Sequence, residues 1–399
     1  MTGVFLALML AQNFDQRGFI EDQTLVYPQT APNDSGNIVS QILLRWEVSD
    51  QLTPWLRLSG SFDARADSHE QTQRIWSLDV LDRSIQRPAF SLRRASVTLH
   101  KGKFTAELGR QFIRWGKADL LNPTDRFAPK DYLSSVVSSD FLGVVAARVT
   151  YETGSNTVDV VWQPLFTPSR TPLLDQRWTA LPSEAQGIPI RDGGARYPGG
   201  SQYGVRFNHV GSGYEASACF FDGFNNLPLF TAAGSLSGVG VQRYYPKLRL
   251  YGADLAVPLR WFTVKTEGAY FTSATPGTEE YALYVIQLER QVKEWSFVGG
   301  YAGEVVTHST GNPLEFAPDR GFARSFLGHA GWTIDATRSV AFEAAVRAHG
   351  SVAKAEYSQA FGQHWRATAG LAWIRGAESD FLGEYHRDSY VSLAIRYSF

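Results

Sequence analysis

From about Gln23 to the last residue, the chain falls into segments of about 9 to 12 residues in which apolar and polar side chains alternate one for one. Only an extended strand with two chemically different faces has that period. In Ser339–His349, Val340, Phe342, Ala344 and Val346 share one face, while Ala341, Glu343, Ala345 and Arg347 share the other. Trp365, Ala367, Ala369, Leu371 and Trp373 alternate with Arg366, Thr368, Gly370 and Ala372, which puts a Trp at each end of the apolar face. A helix would mix these faces. No apolar run beyond the N-terminus approaches the ~18 to 20 residues of a membrane-spanning helix, so a membrane crossing would be made by strands. Aromatic residues form 13% of the chain and Gly accounts for 36 positions, a load that fits girdles at two membrane interfaces.

The connections sort by length. Short links fall at His100–Lys103, Thr153–Asn156, Gly211–Gly213, Val257–Arg260, Val292–Glu294, Asp335–Arg338 and Gly362–His364. Between them lie mostly long ones, at Ala64–Arg87, Gly116–Asp140, Pro164–Gly200, Asn225–Tyr245, His308–Phe322 and Arg375–Arg387. Tight turns on one side and long loops on the other are the asymmetry of a transmembrane barrel. About seventeen segments run from Ile38 to Phe399, and the last must descend from the loop side. An N-terminus on the turn side then requires one more ascending strand, which Asp22–Tyr27 can supply. The expected fold is all-β, a single closed antiparallel transmembrane β-barrel of about 18 strands, with 16 the next choice, over residues 13–399. Residues 1–12 contain an apolar run, Val4–Ala11, of the length of a signal-peptide core but without its basic flank; a buried strand or helix turn is the other reading.

Lys and Arg number 38 against 39 Asp and Glu, so no global field recruits nucleic acid. One cysteine, Cys219, excludes an internal disulfide framework, and no C-x-x-C-H or clustered ligand pattern implies a cofactor or metal. None of the eight His residues lies in a G-x-S-x-G elbow or an H-E-x-x-H pair, and no catalytic role is expected.

If the apolar face of each strand meets lipid, the other face lines a lumen. It then carries Arg45, Asp63, Asp159, Arg148, Arg206, Glu215, Asp254, Lys265, Glu267, Glu343, Arg347, Arg366 and Arg396. Charges of this kind are costly to bury, so water is expected to reach them, either as a pore lining or as neutralising ladders that hold the wall. The stretch Trp115–Asp140 is the third external loop in this count and combines Lys117, Asp119, Asp125, Arg126, Lys130 and Asp131. In loop order and mixed charge it resembles the loop that general porins fold inward as a constriction; an ordinary surface loop is the alternative.

Gly109–Pro123, G-R-Q-F-I-R-W-G-K-A-D-L-L-N-P, looks like a segment of large porin-like families related in outline to alginate-export barrels. Val391, Leu393, Ile395, Tyr397 and Phe399 form an apolar face ending in an aromatic residue, similar to the strand by which the barrel-assembly machinery recognises outer-membrane proteins. These resemblances imply an integral protein of the bacterial outer membrane, bordered by its lipid and lipopolysaccharide, with Tyr397 and Phe399 as the assembly signal. They imply a channel for passive diffusion of small hydrophilic solutes, with an oligosaccharide or organic acid as the sharper guess. A homotrimer, a structural or sheath subunit of an envelope complex, and a lipid-modifying enzyme are the other readings. The lipid-facing positions read as apolar all round.

Overall fold

Alternating side chains leave every strand with one wet and one dry face, and closing the sheet on itself removes the unpaired edges. A computed structural model describes residues 14–75, 78–79, 81–180, 188–235, 238–311 and 314–399. Its barrel strands are β1 (Phe14–Val26), β2 (Ile38–Thr53), β3 (Leu56–Asp67), β4 (Phe90–Lys101), β5 (Phe104–Gln111), β6 (Val144–Thr153), β7 (Asn156–Gln163), β8 (Gln202–Gly211) and β9 (Tyr214–Phe224). They continue as β10 (Lys247–Pro258), β11 (Thr263–Thr272), β12 (Glu280–Val292), β13 (Trp295–His308), β14 (Ser325–Thr333), β15 (Arg338–Val346), β16 (Gly350–Phe361), β17 (Trp365–Gly376) and β18 (Tyr390–Ser398). Each pairs antiparallel with its neighbours in sequence, and β1 also pairs with β18 from Phe19↔Ser398 to Val26↔Val391, which closes a barrel of 18 strands. The expected N-terminal segment 1–12 lies outside the described residues.

The first strand begins at Phe14, not near Asp22. Its lower half hides the alternation because the inward positions Arg17, Phe19 and Glu21 mix types and the outward ones include Gln16 and Gly18. Gly18 is required there. A Cβ would stand 2.6 Å from the Phe399 ring and 2.7 Å from the Arg45 carbonyl, and Gly18 and Phe399 exchange both backbone hydrogen bonds at 2.9 Å.

Turns of two to four residues close one end of the barrel, while the other end carries L1 (27–37), L2 (68–89), L3 (112–143), L4 (164–201), L5 (225–246), L6 (273–279), L7 (309–324), L8 (347–349) and L9 (377–389). L8 is as short as a turn, an exception to the length rule. Outside the barrel, Ile190–Arg196, Gly238–Tyr244 and Leu229–Ser235 form a three-stranded sheet over the loop end.

The outer surface is an apolar belt rimmed by aromatic rings: Trp46, Trp261, Trp295, Trp332 and Trp365 toward the turns, Trp162, Tyr203, Phe326 and Trp373 toward the loops. Trp295 and Trp332 stack across β13 and β14 with centroids 5.1 Å apart. Asp22 breaks the belt. It is exposed on the outer face between Ile42 and Ile395, so the outward positions are not apolar all round. A carboxylate against lipid is destabilising. Asp22→Leu is expected to raise the unfolding free energy in lipid vesicles by about 1–2 kcal/mol, since acidic residues cost less there than the ~2–4 kcal/mol of basic ones; urea titration of both proteins is the check, and no gain would mean this face is not lipid-exposed.

Inside, the chemistry changes along the strands. On β9 to β12 the inward residues in the loop half include Phe221, Leu250, Phe271 and Leu283, all fully buried, whereas those toward the turns are Glu215, Asp254, Lys265 and Gln287. The core therefore lies within the loop half of the barrel, built from those side chains with Trp115, Phe127, Val136 and Val137 of L3, Trp178 of L4 and Leu382 and Tyr385 of L9. The inner face was expected to meet water throughout; half of this wall is dry.

Candidate functional site

L3 leaves β5 through Gly109, Arg110 and Gln111. Gly109 has φ +114° and a Cβ there would stand 2.2 Å from the Ala95 carbonyl, so this step is open only to glycine. Buried Gln111 donates to the carbonyls of Glu107 and Ala146, both at 3.0 Å, and turns the chain off the sheet. The segment Gly109–Pro123 is thus the root that sends L3 into the lumen.

There L3 meets the inward charges of the wall. Trp115 donates from Nε1 to Asp159 at 2.9 Å, beside the Arg148–Asp159 pair at 2.8 Å. Lys117 lies 2.7 Å from Glu215 and 3.1 Å from Asp254, and Arg206 holds the same Asp254 at 2.8 Å. Asp119 pairs with Lys265 at 2.8 Å, which also reaches Glu289 at 2.7 Å, and accepts from Gln287 at 2.6 Å. Glu267, 1% exposed, accepts four hydrogen bonds from L3: Lys117 N at 2.9 Å, Ala118 N at 3.0 Å, Thr124 N at 2.9 Å and Thr124 Oγ1 at 2.8 Å. Protein donors, not water, satisfy this carboxylate, which corrects the expectation that water must reach it.

The remaining charges of L3 point elsewhere. Asp125 caps the backbone N–H of Trp115 at 2.6 Å and pairs with Arg114 at 3.1 Å. Arg126 pairs with Asp319 of L7 at 2.7 Å over the Phe271 ring; burial would raise the Asp319 carboxyl, yet Arg126 holds it below the usual range. Lys130 stacks on Phe141 at 5.4 Å, and Asp131 joins Arg87 at 2.8 Å and Arg170 at 3.2 Å. Glu343 is bound by Lys354, Arg347 pairs with Asp380 of L9 at 3.0 Å, Arg366 donates to Ser358 at 3.1 Å, and Arg396 pairs with Glu21 at 2.6 Å.

L3 therefore divides the lumen. Its first half is bound to β7 through β12, and its second half, Ser134–Asp140, faces β18, β1, β2 and β3 across a cavity of about 280 Å³. Arg45, Arg65, Arg87, Arg396, Glu21, Asp131, Asp140, Gln23, Gln41 and Ser134, Ser135, Ser138 and Ser139 line it. Of the lumen charges singled out in the sequence, Arg45 and Arg396 from the wall and Asp131 from L3 border this space; the rest named above do not. The serines went unnoticed, although S-S-V-V-S-S at 134–139 repeats a polar pair about a buried Val136-Val137 pair, the signature of a segment with one dry and one wet side.

A closed antiparallel barrel of this kind recurs among solved outer-membrane proteins. The fold is that of the outer-membrane porins. The chain superposes on a BenF-like porin from Pseudomonas fluorescens Pf-5 with a TM-score of 0.57 at 8% identity, covering 98% of this chain and 99% of that one. Acinetobacter baumannii OccAB4 gives 0.55 at 9% identity over 97% and 99%, and Pseudomonas aeruginosa OccK3 gives 0.53 at 8% over 96% and 96%. No protein-family description and no curated sequence matches this porin-like chain. Among the described residues no His, Cys, Asp and Glu are grouped to hold a metal ion.

Above the cavity four loops are clamped together. Asp34 of L1 pairs with His69 of L2 at 2.8 Å; Arg177 of L4 lies 3.6 Å from Asp34 and 3.4 Å from Asp388 of L9, and stacks on Tyr27 at 3.7 Å. Burial pushes the Asp388 carboxyl up to about 8 against the pull of Arg177, and the hydrogen bond to Asp34 raises His69. Both groups hold protons more tightly in the docked clamp than in a released loop, so the docked state is favoured in mild acid and loses that advantage as pH climbs through about 8. Hydrogen exchange in 27–37, 171–178 and 383–388, corrected for intrinsic rates, is expected to show faster opening at pH 9 than at pH 6; equal protection would uncouple these groups from docking.

Proposed function

We propose that this chain is an integral outer-membrane channel through which small hydrophilic solutes diffuse passively, without catalysis. The observation that carries the reading is the polar cavity between Ser134–Asp140 and the β18–β1–β2–β3 wall, in a lumen that L3 divides. Guanidinium groups from the wall face serine hydroxyls and carboxylates from the loop, a transverse arrangement that orients a solute carrying both charge and hydroxyls. Four arginines against three carboxylates favour small organic acids over neutral sugars. The aromatic girdles fit lipid and lipopolysaccharide, and Tyr397 and Phe399 at the β1–β18 seam fit a signal for the barrel-assembly machinery.

The apolar core in the loop half supports one competitor, a closed structural barrel of an envelope complex. Refolded protein added to a planar bilayer separates the two. Stepwise conductance in KCl is the expected result, and silence at every voltage would select the structural barrel.

A further inference from the structure

Behind L3, where β3, β4 and β5 meet L2 and L4, lies a second pocket whose lining brings five guanidiniums, Arg65, Arg87, Arg93, Arg110 and Arg170, against two carboxylates, Asp63 and Asp82. Both carboxylates are already shared. Asp63 stands 2.7 Å from Arg45 and 2.8 Å from Arg65; Asp82 stands 2.7 Å from Arg110 and also binds Arg170. Arg87 and Arg170 divide a third carboxylate, Asp131, outside the lining.

Arg93 has no carboxylate partner among the described residues. It is the extra residue of a bulge, where Ser61 pairs with Arg94 and Phe62 with Leu92, and its guanidinium lies 4.8 Å from the Phe112 ring. Arg170 is buried, with its side chain 4% exposed and its Nε–H without a hydrogen-bond acceptor among the described residues. Its burial and the nearby Arg65 push the Arg170 guanidinium down to about 9. Like charges withdrawn from water with an unmet donor are expensive unless something negative completes them.

We propose that this pocket is a structural anion site that takes a single chloride ion. The cavity is about 20 Å³, space for one water-sized body. A monatomic halide meets that limit; a carboxylate or phosphate group, with its central atom and several oxygens, does not. An ion there touches guanidiniums from the wall (Arg65, Arg93, Arg110), from L2 (Arg87) and from L4 (Arg170), so it fastens two loops to the barrel.

The test is thermal unfolding of the purified full-length protein in detergent, with sodium chloride, sodium bromide or sodium gluconate at equal ionic strength. Chloride and bromide are expected to raise the midpoint over gluconate, with a rise that saturates with halide concentration, because a ligand of the native state stabilises by mass action. Arg93→Gln should abolish the halide-specific part. Equal midpoints in the three salts, or a halide effect that survives in Arg93→Gln, would overturn the site. Should the variant not fold, crystals of the native protein in bromide decide the matter: an anomalous peak between Arg93 and Arg170 supports the ion, and its absence removes it.

Discussion

With Glu267 replaced by alanine, single-channel conductance is expected to rise roughly twofold or more and to become noisy, because the pore width is set by how firmly L3 is held to the far wall. The four hydrogen bonds that Glu267 accepts converge on one short stretch, Lys117 to Thr124. Bonds to an ionised acceptor are worth about 1.5–3 kcal/mol each, and the substitution also leaves three backbone N–H groups of L3, two of them buried, without this partner. Trp115–Asp159 and Lys117–Glu215 remain, so L3 is loosened rather than expelled. Glu267→Gln keeps an acceptor oxygen and should give an intermediate conductance. Planar-bilayer recording of the three proteins tests this, and unchanged step size in Glu267→Ala would show that L3 is not what limits the current.

The double substitution Arg45→Gln, Arg396→Gln is expected to shift ion selectivity toward cations, seen as a displaced reversal potential across a KCl gradient. Four arginines and three carboxylates line the cavity, and Asp63 behind them is bound to both Arg45 and Arg65; removing two arginines leaves two against these four carboxylates. Arg65 is retained so that Asp63, 1% exposed, keeps a partner at 2.8 Å and the wall stays folded. Lys117→Met is the contrast. Its ammonium is bound to Glu215 and Asp254 on the opposite wall, away from the cavity lining, and its loss should barely alter the reversal potential. An unmoved potential in the double variant would place ion flow elsewhere in the lumen.

The barrel was legible because its rules are local. A period of two needs only neighbours, and turn and loop lengths are read directly from the spacing of segments. Trp365 and Trp373 mark opposite rims as their separation predicts. The lumen was far less legible, because alternation says that Glu267 points inward but not what it finds there. Its donors come from Lys117, Ala118 and Thr124, some 150 residues earlier at the farthest. The same pattern cannot separate Lys265, bound to L3, from Arg396, which borders open space. Nor does a polar-apolar rhythm warn that Asp22 takes an outward place between Ile42 and Ile395. In β1 the mixture of types on both faces concealed the eight residues before it.

Those long separations also impose an order on assembly. Asp119 binds Gln287 across 168 positions and Lys117 binds Glu267 across 150, so the seat for L3 does not exist until β11 and β12 have joined the sheet. Bringing such distant groups together carries a large closure entropy, and contacts of this kind form late. The strand wall must therefore be largely complete while the loop that divides it is still unseated, which makes docking of L3 a maturation step of the finished barrel rather than part of its construction.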